Sequence, residues 1–118
     1  MSEKKVRVYQ KPTCTTCKNL MMLLKDKGID FERIDYMIDP IPRAKLQDLV
    51  RKMGGSPRDL IRTKEPEYRS LGLDRSDISD DEVLDALASN PRLVQRPIVE
   101  IDDRAIVARP AERVNEIL

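Results

Sequence analysis

A β-branched run at Val6 and Val8 alternates as a strand does, and within a few residues it gives way to Cys14-Thr-Thr-Cys17 and then to helix formers. Leu20, Leu23, Leu24 and Lys27 share one helical face with Met21 at its flank, and Gly28 stands where a helix closes in the left-handed conformation. A strand that passes through a short loop into a helix puts Cys14 at the joint. Unpaired backbone N–H groups and the positive end of the helix dipole gather there, and that field favours thiolate over thiol. Lys11 and Lys18 are expected to push the same way. Cys17 lies one turn on, close enough for a disulfide, which makes it a candidate resolving thiol for chemistry begun by a Cys14 nucleophile.

A Cys-x-x-Cys pair is also half of a zinc site. The chain has two cysteines and no histidine, so zinc would need carboxylates to complete its shell, and no metal centre is expected. Two small buried thiols with a packing role only are the other ordinary reading. The strand–loop–helix setting favours redox chemistry over both. The lack of histidine also removes the commonest general base from any mechanism. Length sets a further bound: 118 residues make one domain, 1–118, with room for a true core. Charged residues reach 36%, yet the formal net charge is only +1, and aromatics amount to one Phe and three Tyr. Neither bulk charge nor stacking surface supports direct nucleic-acid binding. No run approaches the ~20 apolar residues of a membrane span, and no apolar signal segment is visible. A monomer without membrane contact is expected, in a reducing cytoplasmic setting where such a cysteine pair is catalytic or sensory.

After Gly28, Ile29–Tyr36 reads as a second strand at the spacing of a βαβ unit, so it should run parallel to the first. Asp39-Pro-Ile-Pro42 then breaks the pattern. Leu46, Leu49, Val50 and Met53 repeat at helical spacing between Pro42 and Gly54, and Ser56-Pro57 can open a short helix through Leu60 and Ile61. Glu67–Leu71 offers one more turn before Gly72. Ser79-Asp-Asp-Glu82 is a capping box opening a helix with Val83, Leu84, Leu87 and Ala88 inward, closed by Asn90-Pro91. These narrow apolar stripes predict a helical cap over the sheet edge. Strand patterning returns in Pro97–Ile101 and Arg104–Ala108 around an Asp102-Asp103 turn, and Pro110 starts a last helix with Ala111, Val114, Ile117 and Leu118 on one side. The fold class is therefore α/β: a thioredoxin-like mixed four-stranded sheet, with a helical insertion over about 40–91 between the second and third strands.

Three arginines sit in uncommon places. Arg62 ends a short helix, Arg96 precedes Pro97 at a strand entry, and Arg109 precedes Pro110 at a strand exit. An X-Pro bond entering that strand is where a thioredoxin-type fold keeps a cis-proline beside its cysteine, so Pro97 is a cis-proline candidate and Arg96 should come close to Cys14. A thiolate among guanidinium groups suits a small oxyanion, which a guanidinium binds bidentately without losing its charge. For any one of these arginines, an exposed charge or a carboxylate partner is the commoner outcome. Together they favour a site.

With these residues in view, the chain resembles the glutaredoxin-linked arsenate reductase (ArsC) family over nearly its whole length. The resemblance rests on Cys14, on Leu60-Ile-Arg62-Thr-Lys-Glu-Pro-Glu-Tyr68, on Asn90-Pro-Arg-Leu-Val-Gln-Arg96-Pro-Ile-Val99 and on Ala108-Arg109-Pro-Ala-Glu112. It implies a Cys14 that attacks arsenate, an oxyanion cradle of Arg62, Arg96 and Arg109, and reduction by glutathione and glutaredoxin or thioredoxin to release arsenite. No tightly bound cofactor is implied. Where enteric members carry a histidine before the cysteine and an arginine after it, this chain has Gln10 and Lys18, so activation would rest on the helix terminus and cations, with Lys18 as a further substrate-binding charge. Cys17 is shared instead with Spx-type regulators, which resemble the family in fold, use Cys-x-x-Cys as a redox switch and bind RNA polymerase. Those sequences generally lack the final Arg-Pro, which is present here as Arg109-Pro110. A redox-sensing transcriptional regulator and a general thiol–disulfide oxidoreductase are the alternatives.

Overall fold

The alternating run at the start of the chain forms β1 (Val6–Gln10), and a short loop leads from it into α1 (Thr15–Asp26) in the computed structural model, which describes residues 5–118. The Lys27 and Gly28 amides donate to the carbonyls of Leu23 and Lys25, and Gly28 takes φ +69°. That closure shortens the second strand. The Ile29 amide still donates to the Leu24 carbonyl at 2.9 Å, so the chain is not free to pair until β2 (Glu32–Asp35). Strand pairing therefore covers only part of the expected Ile29–Tyr36. Tyr36 lies just past it, its amide donating to the carbonyl of Gln10 at 3.3 Å.

β2 runs parallel to β1, with Asp35 opposite Gln10. On its other side β1 pairs antiparallel with β3 (Ile98–Ile101), which pairs antiparallel with β4 (Arg104–Val107), giving the order β2-β1-β3-β4. This is the mixed thioredoxin-like sheet that the element order implied. Asp102 makes the β3–β4 turn without glycine by adopting φ +53°, a conformation that aspartate tolerates better than most residues. Period-two alternation sends Val6, Val8, Val99, Ile101 and Ile106 to one face, where Leu20 and Leu24 of α1 meet them along with Ala111 and Val114. Each such aliphatic side chain contributes about 1.5–3 kcal/mol when fully buried.

The opposite face carries a polar link. The Tyr9 hydroxyl donates to Glu100 at 2.9 Å, and an Arg7 guanidinium nitrogen lies 3.6 Å from the same carboxylate. Burial first, and then the bond to Glu100, push the Tyr9 phenol above its ordinary pKa.

The last segment departs from expectation. Ala111–Glu116 is a 3-10 helix, and its buried stripe is Ala111, Val114 and the partly buried Ile117, a spacing of three that matches three residues per turn. Leu118 falls off that stripe and is exposed.

Pro40–Gln95 forms a compact unit of its own; the sheet unit comes from the chain on either side of it. Within the helical unit, α2 (Arg43–Met53) closes at Gly54 with φ +72° and packs against α4 (Asp80–Ser89), and Leu46, Leu49, Val83 and Leu87 of the two helices are buried. The Ser79 hydroxyl caps α4 by accepting from the Glu82 amide at 3.2 Å. Between them lie a 3-10 turn (Pro57–Leu60) and the single-turn α3 (Glu67–Ser70). A second 3-10 turn (Pro91–Leu93) follows α4 and leads to a bridge pairing Val94 with Ile61. No helix among the described residues is long and apolar enough to cross a membrane.

Candidate functional site

Cys14 is the N-cap of α1. Its backbone is extended (φ −85°, ψ 119°), its carbonyl accepts the first helical hydrogen bond from Lys18 at 3.1 Å, and its sulfur accepts from the Cys17 amide at 3.3 Å. Serine, threonine or aspartate usually holds this position, because a side-chain acceptor there satisfies an orphan helix N–H. Here the acceptor is a thiol sulfur. The turn that delivers it is closed by the Cys14 amide donating to the Lys11 carbonyl at 3.0 Å.

The two thiols differ sharply. Cys14 is half-buried, whereas Cys17 is completely enclosed. Burial raises the pKa of Cys14, but the hydrogen bonds from the Cys17 thiol and amide, with the charges of Arg96 and Arg109, lower it, and the net shift is downward. For Cys17 the balance goes the other way. Burial, the hydrogen bond to Cys14 and the charge on Cys14 push it up to about 12, against smaller opposing effects from the Lys11 backbone and Arg96.

Both arginines come from the ends of the β3–β4 hairpin. Arg96 is buried, and its guanidinium donates to the hydroxyl of Tyr36 at 3.2 Å. Arg109 reaches back to donate to the Arg96 carbonyl at 3.3 Å. The Arg96–Pro97 and Arg109–Pro110 peptide bonds are both cis. Among the described residues neither guanidinium has a carboxylate partner, unlike Arg7, Arg43 and Arg92. Two uncompensated cations beside a thiol attract an anion.

The structure thus brings Cys14, Cys17, Arg96 and Arg109 together within the sheet unit. Lys18 is exposed on the first turn of α1, and the largest charges weighing on Cys14 are those of Arg96 and Arg109; Lys11 acts on Cys17 through its backbone. Arg62 belongs to the helical unit. Its amide donates to the Leu93 carbonyl at 2.7 Å, and its Nε lies 3.5 Å from a Glu65 carboxylate oxygen. Among the described residues no group of three or more acidic or thiol side chains converges as a metal site would.

Two further residues stand behind this arrangement: Tyr36, which escaped the sequence reading, and Gln10, which entered it only as the residue in the place of the enteric histidine. Tyr36 is completely buried and holds Arg96 through its hydroxyl. Gln10, also buried, donates from its amide to Asp35, while its carbonyl oxygen Oε1 has no hydrogen-bond partner among the described residues. The available signal was register: a parallel β1–β2 pair that sets Gln10 against Asp35 delivers Tyr36 next to the end of β1.

Comparison with known proteins agrees with this geometry. A family model described as "ArsC family" matches residues 9–117. The chain is 37% identical to the uncharacterized protein YfgD of Escherichia coli (strain K12), over 98% of both chains. It is 33% identical to an arsenate reductase of Neisseria meningitidis, over 96% of this chain and 97% of that one. Among solved structures it superposes on an arsenate reductase from Vibrio cholerae with a TM-score of 0.94 at 34% identity, covering 99% of this chain and 100% of the other.

Proposed function

Because this chain belongs to the ArsC family, we propose that it is an arsenate reductase-like thiol oxidoreductase that converts arsenate to arsenite, with Cys14 as its nucleophile. The observation that carries the reading is the Cys14 sulfur, held by a helix N–H and acted on by two guanidinium groups that have no carboxylate partner among the described residues. The Cys14 thiolate attacks arsenic(V) and displaces hydroxide, which takes a proton from solvent and leaves as water, forming a sulfur–arsenic bond without change of oxidation state. Arg96 and Arg109 bind the oxyanion and offset the charge that gathers on it. Arg62 and Lys18 join the set of anion ligands on family resemblance alone. The two electrons come from thiols, glutathione with glutaredoxin or thioredoxin as protein partner, and no tightly bound cofactor takes part. A cytoplasmic monomer fits this chemistry. Two of the named relatives are arsenate reductases, which favours the enzyme over a redox-sensing regulator.

A coupled assay following NADPH oxidation with arsenate, glutathione, glutaredoxin and glutathione reductase tests the proposal. Cys14→Ser should abolish turnover. Arg96→Ala should lower kcat/KM by about 10²–10³-fold, the usual loss when one preorganised charge-stabilising donor is removed. Arg92→Ala, which removes an exposed guanidinium paired with Glu65, should stay near the parent value. Equal losses at Arg92 and Arg96 would mean that the anion cradle is misassigned.

A further inference from the structure

The mechanism above uses Cys14 and leaves Cys17 idle, although Cys17 is the best-placed nucleophile in the molecule. Its amide donates to the Cys14 sulfur at 3.3 Å, and its thiol is hydrogen-bonded to the same atom. It is completely enclosed, so no thiol from solution reaches it; the reactive atom it faces is the Cys14 sulfur. Residues three apart on a helix lie about 5–6 Å apart at Cβ, within a small adjustment of the span of a disulfide.

We propose that Cys17 is the internal reductant of the adduct on Cys14, so that arsenite leaves as a Cys14–Cys17 disulfide forms and the electrons are then restored by a dithiol protein. This rests on the reading of Cys14 as the nucleophile toward arsenate. The step balances. The Cys17 thiolate attacks the Cys14 sulfur, the sulfur–arsenic bond breaks, and its electron pair goes to arsenic, which falls from (V) to (III). The two cysteines supply both electrons and end as one disulfide.

Two features of the site make Cys17 a conditional nucleophile. While Cys14 is a thiolate, burial, the hydrogen bond to Cys14 and the Cys14 charge keep Cys17 protonated. Burial persists after the adduct forms, but the other two effects fall away, because the bonded sulfur is no longer an anion. The Lys11 backbone and the Arg96 charge, which favour the Cys17 thiolate, remain. The resolving thiol is thus held in reserve until there is something to resolve. The same closeness selects the class of partner. A monothiol that opened the disulfide would leave one cysteine free beside a mixed disulfide, and intramolecular attack would expel the monothiol again. A dithiol reductant carries its own second thiol and completes the exchange.

The test is a single turnover without added thiol. Protein reduced and then desalted under anaerobic conditions is mixed with arsenate, arsenite is quantified, and the cysteines are mapped by alkylation before and after reduction. The parent should release about one arsenite per chain and hold a Cys14–Cys17 disulfide. Cys17→Ser and Cys17→Ala should release none until glutathione is added, and should then turn over in the glutaredoxin-coupled assay. A parent that also waits for glutathione would overturn the internal reductant while leaving the reductase reading intact.

If no protein releases arsenite even with glutathione and glutaredoxin, the arsenate reading fails, and a chromogenic aryl disulfide decides on Cys17 by itself. At one equivalent, the parent should liberate two aryl thiolates per chain, the second with a first-order rate independent of protein concentration. The Cys17 variants should liberate one and keep a stable mixed disulfide. A parent that stops at one thiolate would overturn the proposal.

Discussion

Cys14 is pulled in two directions, and the sign of the outcome matters more than its size. Burial disfavours its thiolate; the Cys17 hydrogen bonds and the Arg96 and Arg109 charges favour it and prevail. A thiol whose pKa falls on folding contributes stability that is fully present above its unfolded pKa and is lost as pH drops through the folded value. The same shift governs reactivity, because only the thiolate attacks. The rate of alkylation of Cys14 by iodoacetamide should therefore rise with a midpoint below the ~8.5 of a free cysteine. Arg96→Met and Arg109→Met should each move that midpoint upward. A midpoint at or above the free-thiol value in the parent would remove the argument for a poised nucleophile. At this scale the sequence was a good guide to the thiol and a poorer one to its surroundings. Position at a helix start is visible in residue spacing, but whether a lysine nearby in sequence points at the sulfur is not. Lys11 and Lys18 are near in the chain, while the largest charges acting on the thiol come from Arg96 and Arg109, far along it.

Elements were legible where a local rule fixes them. The Ser79 cap, the Gly54 stop and the strand–helix joint at Cys14 are each set by interactions within a few residues. Where the outcome depended on competition, the pattern overreached. Ile29 and its neighbours alternate like a strand, yet the closing turn of α1 claims the Ile29 amide. The final segment keeps its apolar residues at a spacing of three, which a tighter helix serves better, and Leu118 is left out. Gly55 shows how a local rule can hide in a residue that looks permissive. Its φ is unexceptional, but a Cβ there would collide with the Asp59 carboxylate, which accepts from the Ser56 amide at 2.9 Å and completes the cap of the following turn. Gly55→Ala should make Asp59 swing away and lose that cap, at about 0.5–2 kcal/mol. Denaturant unfolding should show this as a lower midpoint with an unchanged slope; a neutral substitution would mean that the cap forms by another route.

At the scale of the molecule, stability should be uneven. The sheet unit is tied by hydrogen bonds between residues far apart in the chain, whereas the helical unit is assembled from helices of 11 and 10 residues, a single turn and 3-10 segments. Amides of α2 and α4 should exchange with deuterium faster than those of Val8 and Val99, since short helices open locally at lower cost than central strands. Equal protection would mark one cooperative unit. The break at Pro40–Pro42 and the strand pattern from Pro97 lie close to the bounds of these units, whereas the depth at which Tyr36, Gln10 and Glu100 are buried was not legible in the sequence, because burial of polar groups depends on partners that only the fold supplies. The absence of histidine has one further consequence for the molecule as an electrical object. Between pH 5 and 8 an ordinary protein changes charge through its imidazoles; this chain has none. With its pKa lowered from the ordinary thiol value, Cys14 is a side chain whose titration moves toward that range. An electrophoretic titration carried up through the ordinary thiol range should show one proton step fewer in Cys14→Ser than in the parent, and alkylation by iodoacetamide or a disulfide should each erase the same step. The oxidation state of a single sulfur would then be legible in the mobility of the entire protein.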